Sequence, residues 1–215
     1  MGVLIEQFPL FANGVLGTVR ICLFAAIGAL VLGTLLAGFR VSPLPPLRGL
    51  GSAWVIGFRN CPLAVVLFGF AFGLPEVGVT APFEVFGVIG LTVYTSAFVC
   101  EAVRAGINSV SAGQAEAARA VGLTFQQTLG NVVLPQALRS VVPPLGSVII
   151  AMIKNSAIVG AFGVGGELFS VEGALTAQGY PALVSLTGVA LGYLLLTIPA
   201  GLLLGVLERR VAVQR

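Results

Sequence analysis

The stretch EAARAVGLTFQQTLGNVVLP, Glu116–Pro135, is a polar island in a chain that is otherwise apolar. It holds a carboxylate, a guanidinium and two glutamines. Such groups are penalised in hydrocarbon, so this stretch does not cross a bilayer. Apolar segments flank it on both sides. It therefore reads as a link between membrane spans, and the architecture follows from how the spans are arranged around it.

Of the 215 residues 57% are hydrophobic and 9% charged, and the mean hydropathy is +1.05. Soluble domains carry about 25% charged residues. So few charges cannot cover a soluble surface of this size, which makes the chain an integral membrane protein with a single domain over 1–215. The net charge of +3 is not gathered into a basic run, so it reports membrane topology rather than nucleic-acid binding. Cys22, Cys61 and Cys100 lie far apart in apolar stretches and His is absent. No metal site is expected, and the thiols read as small buried hydrophobes. The N-terminal MGVLIEQFPLFANG has no Lys or Arg, so the apolar run after it reads as a retained first span rather than a cleaved signal.

A helix needs about 20 apolar residues to cross the hydrocarbon layer. Five spans are predicted, at about 14–39, 51–74, 83–105, 138–160 and 182–207. The basic residues then alternate. Arg40, Arg48 and Arg59 lie around the first link, Arg104, Arg119 and Arg139 around the third, and Arg209, Arg210 and Arg215 in the tail. The links 75–82 and 161–181 have neither Lys nor Arg. Positive links stay cytoplasmic. The expected fold is all-α transmembrane, N-terminus outside and C-terminus inside, with the cytoplasmic link 111–135 between spans three and four.

Within that link Ser111, with Gln114 three residues on, is a capping pattern. AEAARA is strongly helix-forming, and Glu116 and Arg119 share an exposed face. Ala117, Ala118 and Val121 give the other face small apolar groups. Gly122 ends or bends this helix. A second helical stretch starts at Thr124 as N-cap, and Pro135 suits the first turn of the next helix. A helix that merely lies on lipid wants Lys, Arg and bulky apolar residues. This one offers Ala, Gln and one Arg, which fits docking to a cytoplasmic partner better.

Glu116, Ala117, Ala118, Gly122, Leu134 and Pro135, at this spacing, resemble the signature cytoplasmic loop of binding-protein-dependent ABC importer permeases. RNCPLAVVLFGFAFGLP (59–75), SAFVCEAVRAGI (96–107), LPQALRSVVPPLGS (134–147) and IKNSAIVG (153–160) are similar to the polar amino-acid subfamily, possession of Asn60 and Cys61 being a departure from its usual Gly and Thr. The resemblance implies a permease subunit of an ATP-driven importer in the bacterial inner (cytoplasmic) membrane, working by alternating access. It implies as partners a cytoplasmic ABC ATPase dimer, a second permease subunit, identical or related, an extracytoplasmic solute-binding protein and an amino-acid substrate, besides membrane lipid. Glu116, Ala117, Ala118, Arg119 and Gly122 are then the coupling helix, with Leu134 and Pro135 as its support. The chain itself is not an enzyme and binds no cofactor; ATP and Mg belong to the ATPase. In keeping with that, no GxxxxGK[ST] occurs.

Two cations fall inside predicted spans. Arg20 is ~9 Å into span one and Lys154 ~22 Å beyond Arg139, so both are expected at similar depth in the outer half. Two cations there suit the two carboxylates of glutamate or aspartate, with Asn155 and Ser156 adding hydrogen bonds. Another reading stays open: Arg20 snorkels to the interface, Lys154 pairs with Glu167 or Glu101, and Asn155 and Ser156 tie helices together. Glu101 and Arg104 read as a structural pair. The glycines of spans one and five allow close packing, and Pro143, Pro144 and Pro199 bend their helices. A carrier or channel working without an ATPase is the alternative function, and it has no use for the 116–135 pattern.

Overall fold

The structure, a computed structural model, describes residues 2–164 and 166–211. These residues are almost entirely helical. In chain order they form α1 (Gly2–Glu6), α2 (Phe8–Val41), α3 (Pro45–Asn60), α4 (Leu63–Glu76), α5 (Phe83–Asn108), α6 (Ala112–Ala120), α7 (Phe125–Ala161), α8 (Ser170–Ala177) and α9 (Ala182–Val211). Helices α2, α5, α7 and α9 are each long and apolar enough to cross a membrane. With the bent pair α3–α4 counted as one, the spans number five.

The pair α3–α4 corrects the second predicted span. The sequence reading took 51–74 as one run, but the chain turns by 106° between α3 and α4. Pro62 is the cause. Its ring drives the preceding residue out of helical conformation, and Cys61 is extended at φ −93°, ψ 134°. The fourth span is corrected too. The link 111–135 is not all link, because its second half forms the first turns of α7, which runs from Phe125. Pro135 thus lies inside a long helix rather than opening one.

Both α4 and α7 accommodate a proline by the same device. Each contains a π turn, at Gly69–Gly73 and at Leu129–Val133, and in each a proline follows two residues later. A helical proline clashes with the carbonyl four residues back. For Pro75 and Pro135 those residues are Ala71 and Asn131, each at the middle of its π turn. The wider turn moves that carbonyl away and removes the need for the missing N–H.

Lipid is as apolar as a leucine side chain, so helix association rests on close contact and polar ties. Helices α2 and α5 pack along their length in this way. A Cβ on Gly28 would strike Thr92, and one on Gly33 would meet Val99 and the Ser96 carbonyl. Trp54 Nε1 donates to Ser96 Oγ at 3.0 Å, joining α3 to α5. The central core gathers Ile21, Cys22 and Ala25 of α2, Leu63 and Leu67 of α4, Leu91 of α5, and Met152 and Val159 of α7. A second cluster packs Phe11 and Val189 against α8 and the turn before it, through Leu168, Val171 and Leu175. Almost none of α9, and little of α7, is buried against this chain.

Candidate coupling loop and transport path

The link after α5 is built by local rules. Ser111 stands at the N-cap of α6 in extended conformation, yet its side chain makes no capping bond. The expected Ser111–Gln114 capping box is absent. The end of α6 is strongly determined. Gly122 takes φ +91°, its N–H donates to the Arg119 carbonyl at 3.0 Å, and the Leu123 N–H donates to the Ala118 carbonyl at 3.1 Å. That is a Schellman turn, which a residue with a Cβ resists. Thr124 then caps α7 with a full capping box. Thr124 Oγ1 accepts from the Gln127 N–H at 3.3 Å and Gln127 Oε1 accepts from the Thr124 N–H at 2.9 Å.

Glu116, Ala117 and Arg119 are exposed, and only Ala118 of this group is buried. Glu116 and Arg119 form no ion pair with each other. Leu134 and Pro135 are exposed on α7. Of the apolar face expected on α6, Ala118 is covered by this chain, while Ala117 and Val121 stay open, Val121 at 80% exposure. Phe125, beyond the elbow, is 74% exposed. Sequence reasoning did not single out Phe125, which lies outside the helix of the apolar face.

Glu101, on the last turns of α5, meets more than Arg104. Arg104 Nη2 donates to Oε2 at 2.9 Å, and Arg40 from the end of α2 donates to Oε1. The expected pair is a multi-helix cluster at the end of the bundle that leads into α6.

The two intramembrane cations are not alike. Arg20 Nη2 lies 2.8 Å from Glu84 Oε1, near the start of α5, and its side chain is 56% exposed. Lys154 on α7 is also exposed; among the described residues no carboxylate pairs with it. Its neighbour Asn155 lines a cavity of about 160 Å³ between α5 and α7, with Tyr94, Thr95, Phe98 and Met152. The backbones carrying Arg20 and Lys154 nonetheless sit at similar heights: Thr18 and Ser156, each two residues away, meet on Glu167 Oε1, and Cys22 packs with Met152.

Ser156 is fully buried and belongs to a network that the sequence did not reveal. Its centre is Glu167, also fully buried. Glu167 Oε1 accepts from Thr18 Oγ1 at 2.8 Å, from Ser156 Oγ at 3.1 Å and from the Tyr193 hydroxyl. Oε2 accepts from the Phe169 N–H at 2.6 Å. Thr18 Oγ1 in turn accepts from the Leu168 N–H at 3.0 Å. One carboxylate thus joins α2, α7, α9 and the turn before α8. Neither Glu167 nor Glu101 pairs with Lys154, so that alternative is set aside. The sequence signal was faint: a lone acid in VGGELF, with partners as far away as residue 18.

The family described as binding-protein-dependent transport system inner membrane component matches residues 29–213. The chain belongs to this family. A probable glutamine ABC transporter permease of Bacillus subtilis is 39% identical over 98% of this chain and 97% of its own length. A glutamate transport system permease of Corynebacterium glutamicum is also 39% identical, over 92% of each chain. A glutamate/aspartate import permease of Escherichia coli K12 is 32% identical over 98% of this chain and 94% of its own. Among solved structures, an amino acid ABC transporter with histidines superposes with TM-score 0.91 at 31% identity, over 96% of both chains. An inward-facing MetNI methionine ABC transporter gives TM-score 0.77 at 26% identity, over 97% of this chain and 99% of its own.

This ABC permease is therefore a multi-pass inner-membrane subunit of an amino-acid importer. It is not catalytic itself, and its system includes a separate ATPase and a binding protein.

Proposed function

We propose that this permease carries amino acids of the glutamate–glutamine class and is driven through α6. The observation that carries the coupling reading is the elbow after α6. Val121 and Phe125 stand exposed beside the Schellman turn at Gly122, with the exposed polar face of Glu116 and Arg119 on the same short helix. An apolar tip on a rigid, polar-sided helix suits a groove on a protein partner better than lipid or water. In this reading the ATPase receives Glu116, Ala117, Ala118, Arg119 and Gly122, and Leu134 and Pro135 hold α7 at the angle that presents them. The distribution of Arg supports this end as cytoplasmic, with the N-terminus outside.

A second permease subunit completes the path. Ser140, Ser147 and Lys154 are exposed and recur every seven residues, so they share one face of α7. A stripe with a lysine does not face hydrocarbon at low cost. Facing a second subunit, it lines a polar route, and ATP-driven approach of the two α6 elements opens that route alternately to either side. We assign substrate contact to Lys154, with Asn155 beside it on the cavity wall. Arg20 is neutralised by Glu84 and Ser156 is fully buried between the Ile153 carbonyl and Glu167, so both fit support better than contact. With one matched cation removed, the case for a second substrate carboxylate weakens. The relatives, named for glutamine, glutamate and glutamate/aspartate, support the wider class.

The test is uptake into proteoliposomes containing this chain, its ATPase and its binding protein. Labelled glutamate, glutamine, histidine and arginine are compared, with and without enclosed ATP. The expected result is ATP-dependent uptake of glutamate or glutamine that Lys154→Ala reduces at least tenfold, about 1.4 kcal/mol. Uptake of histidine or arginine only would refute the substrate class. Uptake indifferent to ATP would refute the coupling reading.

A further inference from the structure

We propose that the arginine cluster joining α2, α3 and α5 is a binding site for the phosphate of an anionic phospholipid headgroup. Arg40, Arg59 and Arg104 converge there on one carboxylate, Glu101. Glu101 spends Oε1 on Arg40 and Oε2 on Arg104, the latter at 2.9 Å. Arg59 Nη1 stays 4.0 Å from Oε1, beyond hydrogen-bond reach. Its guanidinium lies 5.5 Å from the Phe98 ring centroid and its side chain is 46% exposed. Arg104 Nε is buried and has no hydrogen-bond partner. Among the described residues no other carboxylate pairs with any of the three.

Three guanidiniums and one carboxylate leave two positive charges uncompensated. The Arg40 and Glu101 side chains are only 18% and 21% exposed, so solvent screens the mutual repulsion of the cations poorly. A phosphate relieves both deficits. It supplies negative charge, and its oxygens accept from forked guanidinium donors in pairs. Leu35 and Phe39 on α2 and Ile56 on α3 are exposed apolar side chains on the same helices, suited to acyl chains below a headgroup. Basic pockets between spans are a general means of holding such lipids. Soluble phosphate offers the same oxygens without the chains, so the test must separate the two. The inference does not depend on which amino acid is transported.

The permease–ATPase complex would be reconstituted in equal parts phosphatidylcholine and phosphatidylglycerol. Lipid retained after gentle detergent extraction would be read by native mass spectrometry. The wild type is expected to retain phosphatidylglycerol over phosphatidylcholine. Arg59→Gln should lower that retention about fivefold, the effect of one arginine at an anionic surface. It leaves both close pairs of Glu101 in place, and gel filtration checks that the complex is intact. Arg48→Gln, an exposed arginine outside the cluster, should retain lipid as the wild type does. Equal retention by wild type and Arg59→Gln would overturn the proposal. So would displacement of the lipid by millimolar inorganic phosphate, which would make the cluster a soluble-anion site.

Discussion

Glu167 is the residue on which most of the polar structure depends. A buried carboxylate without a cation is tolerable only when its lone pairs are filled. Here three hydroxyls and a backbone N–H fill them. The surrounding glycines let the backbone close over it. A Cβ on Gly160 would strike Glu167 Oε2, and one on Gly17 would strike the Gly166 carbonyl. Glu167→Ala removes the acceptor and strands Thr18, Tyr193 and the Phe169 N–H at once, while Ser156 keeps the Ile153 carbonyl at 2.8 Å. With each unsatisfied donor costing about 1–3 kcal/mol, a loss of at least ~3 kcal/mol is expected. A thermal unfolding scan of the detergent-solubilised complex reads it as a marked fall in Tm. Little change in Tm would mean that water, not Glu167, satisfies these hydroxyls.

The elements show how prolines shape this chain. Pro62 stands between α3 and α4 and produces an abrupt bend, whereas Pro75 and Pro135 sit within helices that continue through π turns. The turn at Leu129–Val133 stands between the long body of α7 and the capped end that bears the elbow. Adding one residue to a turn rotates everything beyond it by about 100° relative to an unbroken α-helix. Pro135→Ala permits the π turn to relax to α. The expected outcome is an unchanged or more stable helix with a misdirected elbow: ATP hydrolysis continues, but amino-acid uptake per ATP falls several-fold. Simultaneous assay of phosphate release and uptake in proteoliposomes checks it. Unaltered stoichiometry would mean that the π turn does not aim α6.

For the whole molecule, burial is uneven. α2 and α5 are packed along their length, while α9 and much of α7 leave their faces open. On α9 these faces are apolar, with Leu194, Leu195, Ile198, Leu202 and Leu203 exposed, as suits lipid. On α7 the Ser140–Ser147–Lys154 stripe is polar, as suits a second subunit. In a background with Cys22, Cys61 and Cys100 replaced by Ser or Ala, Ser147→Cys is expected to cross-link to a cysteine at the same position of its permease partner on mild oxidation. Leu195→Cys should not. Denaturing electrophoresis reads both, and the reverse pattern would put the second subunit on α9.

The sequence by itself determined the membrane class, the approximate spans and the family, because all three rest on local information. Hydropathy over a helix length needs no partner, and the spacing from Glu116 to Pro135 lies within one stretch of chain. Gly122 as helix terminus and Thr124 as cap were legible for the same reason: the bonds they make are to near neighbours. The Glu101–Arg104 pair, three residues apart, was legible too, but the tertiary structure alone decided which charges meet across helices. Arg20 meets Glu84 and Arg40 meets Glu101 only once α2 and α5 lie side by side. Thr18, Ser156 and Tyr193 meet Glu167 across separations of up to 149 residues. The bend at Pro62, the π turns and the exposed Phe125 also escaped the sequence. Proline chemistry signals a break or a strain, but its resolution as a bend or a wider turn depends on what the neighbouring helices permit.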